Sequence, residues 1–169
     1  MIAFPDWQKY LVEQRRKATG NIPAFYEMML RHAGAQGIDL DSFQDDFDLD
    51  KDGDSKLNNL ASIAAIINQI YPQVKFVCES FPKGQGEQKL ARIDKLVLEK
   101  RPVLLSLTLD PDGGWYHMPI VDAYPNSFKF LHHVDELGEP CMLQIPKVDI
   151  VNIHNSWKGG EEIAYLERF

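Results

Sequence analysis

The 169-residue chain carries 25 acidic and 18 basic side chains, a formal charge of −7. That charge resides in residues 39–54, where eight aspartates face one lysine, and the remaining 17 acids and 17 bases leave the body neutral. A neutral body whose only basic run is Arg15-Arg16-Lys17 excludes the clustered cationic face that nucleic acid requires.

The first ten residues have an early proline and aspartate, no basic start and no long apolar core, so no signal peptide is expected there. Residues 5–17 read as a helix with Trp7, Tyr10 and Leu11 on one stripe and Gly20 as its stop. Asn21, a favoured N-cap, opens a second helix, with Pro23 in its first turn and Ile22, Phe25, Met29, Leu30 and Ala33 at helical spacing before Gly34. Beyond the acidic segment, residues 60–71 are apolar on nearly every side, which predicts a helix buried in the core and too short to cross a bilayer. Residues 74–81 read as a strand with Val74, Phe76 and Cys78 on one face, residues 88–100 as an amphipathic helix, and residues 102–109 as a strand with Val103, Leu105 and Leu107 alternating. Turn chemistry at Gly113 and Gly114 leads into strands at 115–124 and 127–133, split by Pro125 and Asn126. A strand at 141–145 pairs with these, residues 147–157 form a helix, and residues 161–167 a last strand.

The layout is α+β, an N-terminal helical lobe packed on a largely antiparallel β-sheet. One domain, 1–169, is expected, mainly helical over 1–100 and mainly β over 101–169. Cys78 and Cys141 lie far apart with no metal-ligand spacing, which fits a reduced, cytoplasmic protein with no membrane partner.

The run Thr19-Gly20-Asn21-Ile22-Pro23-Ala24-Phe25-Tyr26-Glu27-Met28-Met29-Leu30-Arg31-His32-Ala33-Gly34 resembles the nucleophile helix of papain-like cysteine peptidases. The nearest branch is that of double-glycine leader peptidases, whose helix begins Gly-Cys-x-Pro-Ala. Later elements follow in that family's order. A strand Arg101-Pro102-Val103-Leu104-Leu105-Ser106-Leu107 precedes Gly114-Trp115-Tyr116-His117-Met118-Pro119-Ile120, where the family has its histidine strand; a Trp-ended helix and Ile163-Ala164-Tyr165-Leu166-Glu167 close the match. The resemblance covers residue 14 onward and implies a papain-like fold. It sets Asn21 at the nucleophile position, His117 at the general-base position, Gln14 at the oxyanion position and His133 at the third catalytic position, with His132 and Asp135 as neighbours that a small shift would select.

Papain-like chemistry needs a thiolate at a helix N-terminus, where the dipole and a histidine lower the thiol pKa. A carboxamide is not a nucleophile. The resemblance therefore implies a catalytically silent domain that binds a peptide or protein segment in the old cleft. The residues have structural readings as well: Asn21 as an N-cap, Gln14 as a polar helix residue, and His117 as a hydrogen-bonded, partly buried strand residue. The alternative is an active hydrolase or acyltransferase whose nucleophile has moved to Cys141, with Cys78 read as a buried small hydrophobe, or which uses a histidine-bound metal. His117 with one of His132 and His133 would begin such a zinc site, since alternation sends those two to opposite faces. Ile153-His154-Asn155-Ser156-Trp157 looks like the Asn-Ser-Trp segment of papain-type enzymes, but its distance from His117 makes Asn155 a helix-terminal residue and Trp157 a packing residue.

The acidic segment suggests a second chemistry. Asp50-Lys51-Asp52-Gly53-Asp54 opens like an EF-hand loop, with Asp50, Asp52 and Asp54 as calcium ligands. Counting from Asp50 puts Ser55 at the glycine position and Ala61 at the glutamate position; counting from Asp48 restores Gly53 but ends on Asn59. Residues 48–61 are thus either a half-matched calcium module, with Ca2+ as its ion, or a solvated loop.

Overall fold

Residues 103–107 are Val-Leu-Leu-Ser-Leu, the near-continuous apolar pattern of a strand buried on both faces. In the computed structural model this strand, β2 (Val103–Asp110), lies inside a six-stranded sheet. The structure describes residues 1–13, 21–47, 59–110, 114–156 and 160–168. The other strands are β1 (Lys75–Ser80), β3 (Gly114–Ala123), β4 (Ser127–Val134), β5 (Pro140–Pro146) and β6 (Glu162–Arg168). Their order is β1-β6-β2-β3-β4-β5, with every neighbouring pair antiparallel.

The described α-helices are α1 (Asn21–Ala33), α2 (Leu60–Ile70), α3 (Gly86–Leu98) and α4 (Lys147–Ser156). They divide between the two faces of the sheet, in place of the single helical lobe expected. Because side chains alternate along a strand, β2 sends Leu104 into one core and Val103, Leu105 and Leu107 into another. The first core joins Leu104 and Ala164 to α1 and α2 through Phe25, Tyr26, Met29, Leu30, Ile63 and Ile67. The second joins Leu105, Met118 and Ile163 to Ile93, Leu96 and Val97 of α3 and Ile150 of α4. Among the described residues, no helix is long and apolar enough to cross a membrane.

Expected to be buried all round, α2 instead buries one stripe, Leu60, Ile63, Ala64 and Ile67, and leaves Ile70 47% exposed. Its start is well capped. The Asn59 side chain accepts from Ser62 N at 2.7 Å, and Glu162 of β6 accepts from Ala61 N at 3.2 Å. Asn68 then ties α2 to β1, donating to Phe76 O at 2.9 Å and accepting from Phe76 N at 2.8 Å. Asn59→Ala is expected to cost about 1 kcal/mol, read as a lower midpoint in urea with an unchanged slope.

The helix predicted for residues 5–17 does not form in the described part. A single 3-10 turn, Trp7–Tyr10, is followed by Leu11 at φ −55°, ψ 127°. The reason lies in the next residues: Tyr10, Leu11 and Val12 all pack against the first core, and a helix cannot turn three consecutive side chains to one side. The start of the acidic segment is equally anchored. Its turn Phe43–Asp46 buries Phe43 and Phe47 with ring centres 5.1 Å apart, while Gln44 donates to Glu13 O at 3.0 Å. The calcium positions Asp50, Asp52 and Asp54 lie outside the described residues.

Candidate functional site

The positions that carry the family resemblance meet the structure unevenly. Gln14 lies outside the described residues. α1 begins at Asn21, so the asparagine stands at the very start of the helix, and α1 packs against β3. On β3, His117 pairs with Ser106 and Pro119 with Leu104. Cross-strand partners project to the same face, so His117 points to the side of the sheet that holds Leu104, α1 and α2. It is 7% exposed. Burial, and then the positive charge of Lys89, hold the imidazole down to about 4, so it is neutral at physiological pH and a weak base.

His133 contacts a different set of groups. It sits on β4, half-buried, with its Cα opposite that of Cys141 on β5, and its Nδ1 lies 2.6 Å from Nδ1 of His132. The ring of His132 lies against Tyr116, 4.9 Å between centres. Asp135, the other neighbour considered for the third position, is committed to the β4–β5 turn, where its Oδ1 accepts from Leu137 N and Glu139 N at 2.9 Å each. Alternation predicts His132 and His133 on opposite faces; their contact overturns that expectation. The cause is a β-bulge, since the pairing shifts between Leu131↔Met142 and His133↔Cys141 and leaves two residues of β4 opposite one of β5.

Both cysteines are free thiols. Cys78 lies 3.6 Å from the hydroxyl of Tyr26, which donates to Leu60 O at 2.8 Å. Burial pushes the Cys78 thiol up to about 11, the opposite of what a nucleophile needs. Cys141 is half-buried in β5 and does not itself begin a helix.

The sequence reading missed a buried cation. Lys89 of α3 is fully buried and donates to Ser106 O at 2.8 Å and Gly160 O at 2.6 Å. Its third neighbour is His154 Nδ1 of α4 at 3.3 Å. The ring's other nitrogen lies 3.0 Å from Pro82 O, a carbonyl that can only accept, so Nε2 carries the proton and the Nδ1 lone pair faces Lys89. Burial and then Lys83 lower the ammonium to about 7. The available signal was its place on the helix stripe: Lys89 precedes Ile93 by four residues and Leu96 by seven, both of them core residues. Beside it, Asn155 in the last turn of α4 accepts from Gly86 N at 2.8 Å and so caps α3 from another helix. Asn155 is therefore helix-terminal, as expected; Trp157 lies outside the described residues.

Among the described residues, no three or more His, Cys, Asp or Glu side chains are grouped to hold a metal ion. No family model matches the chain, and no curated protein matches it.

Proposed function

We propose that this chain is a catalytically silent papain-like domain that binds a peptide or protein segment beside the start of α1. The observation that carries the reading is the pairing of a helix that starts on Asn21 with a strand whose buried, neutral His117 faces that helix's side of the sheet. Asparagine offers no attacking atom, and the one thiol on that face, Cys78, is held protonated by burial. What such a site retains is the ability to hold polar backbone groups through a helix start and an imidazole, which is binding chemistry.

Asn21→Cys tests it. A thiol at the start of α1 is expected to react with iodoacetamide at pH 6 at least tenfold faster than Cys141 in the same molecule, because the helix dipole favours the thiolate there. The parent chain should show no fast thiol. An introduced thiol no faster than Cys141 would remove the papain-like reading, and a fast thiol in the parent would restore the enzyme reading.

A further inference from the structure

Consecutive strand residues point to opposite faces, yet Nδ1 of His132 and Nδ1 of His133 approach to 2.6 Å. The bulge in β4 makes this contact, since His132 is the extra residue between the Leu131↔Met142 and His133↔Cys141 pairs. Two imidazole nitrogens can come so close only when at least one offers its lone pair, because two protonated rings would set like charges against each other. The pair is held from outside as well: Tyr116 packs on His132, and the ladder on both sides of the bulge fixes the backbone. Both rings are half-buried, so an ion the size of a metal can reach them from solvent.

We propose that His132 and His133 form a bidentate chelate, through their Nδ1 atoms, for a divalent transition metal of the imidazole-preferring kind, Ni2+, Cu2+ or Zn2+. In it the metal takes the place of the proton between the two nitrogens. Metal–nitrogen bonds of about 2.0–2.1 Å at ordinary ligand angles separate the two nitrogens by about 2.9–3.4 Å, so the rings need to part by less than about 1 Å. Imidazole donors favour these metals over Ca2+ and Mg2+, which want oxygen. No third His, Cys, Asp or Glu side chain among the described residues joins the pair as it stands, so water completes the coordination. The inference rests on the bulge and is independent of the papain-like reading, in which His133 alone has a part.

The test is titration of the full chain with NiCl2 at pH 7.5, followed by calorimetry. His132→Phe and His133→Phe keep a ring in place and remove the nitrogens; a thermal melt without metal confirms that each variant folds, and His132→Asn replaces the first if it does not. The expected result is one Ni2+ per chain, with affinity at least tenfold weaker in either variant and less than twofold changed in Cys141→Ser. Absence of binding to the parent, equal binding by the histidine variants, or loss in Cys141→Ser with retention in the histidine variants would each overturn the proposal. Equal binding would place the ion elsewhere on the chain.

Discussion

Replacing Lys89 with methionine is expected to lower stability at pH 9 by about 2–4 kcal/mol and to remove a pH dependence that the parent shows. The loss at pH 9 arises because Ser106 O and Gly160 O are left buried without their donor, at about 1–3 kcal/mol each. The pH dependence follows from the amine. In the folded protein it titrates near 7, against an ordinary value of 10.5, so between those limits the unfolded chain holds a proton that the folded chain does not. Stability therefore rises with pH across that window, by up to about 1.4 kcal/mol per unit from this group. The charges and titratable groups that act on it come from the α3 approach (Lys83), from α4 (His154) and from the start of β6 (Glu161 and Glu162), with His117 of β3 coupled to the same charge. Below pH 7 the parent folds around a buried ammonium, so the methionine variant should close much of the gap. Equal slopes of stability against pH in the two proteins, measured by urea denaturation from pH 6 to 10, would show that Lys89 is not the titrating group.

Gly160→Ala is expected to be at least as damaging, on the order of 3–5 kcal/mol. Two effects combine at this position. The backbone sits at φ +65°, where a β-carbon is strained, and that carbon would stand 2.8 Å from both Leu107 Cα and Thr108 N. These are backbone atoms of a central strand and cannot swing aside. Gly138→Ala provides the control, because Gly138 has φ +78° with nothing within 4 Å of the added carbon. It should cost about 1–2 kcal/mol from conformation alone. A comparable loss in both variants would mean that the close approach to β2 is not what requires glycine. The same approach brings Gly160 O within reach of Lys89, so the alanine variant should also weaken the pH dependence described above.

The α+β class and nearly all elements from residue 60 onward are legible in the sequence, because each is marked by local chemistry: alternation in β2, a cap before α2, glycines or proline between strands. Residues 5–17 mislead because Trp7, Tyr10 and Leu11 fit a helical stripe, whereas the core takes Val12 as well. The two-sided covering of the sheet is also hidden, since nothing in a strand's own sequence says which helix covers which face. Among the candidate site residues, the starting position of α1 at Asn21 and the strand position of His117 are readable from pattern; the near-complete burial of His117 is not, since a lone strand histidine reads as partly buried. The His132–His133 contact was not, because a bulge is a property of two strands together and period-two reasoning forbids it. Lys89 stayed hidden because a lysine on an apolar stripe is ordinarily read as a long chain reaching for solvent, and its acceptors come from α4, β2 and the approach to β6.

The position of β6 between β1 and β2 bears on how the chain acquires its structure. Residues 162–168 are synthesised after every other described strand, yet they fill the gap between two strands made long before. A nascent chain that has reached residue 156 can form the β2-β3-β4-β5 meander, but it leaves β2 with an open side and β1 with no partner. Closing that gap joins residues about 90 positions apart, such as Cys78 and Ala164, a distant pairing that slows folding. Until it happens, β1 and one side of β2 present unpaired backbone edges, the kind of surface on which a partly folded chain pairs with another.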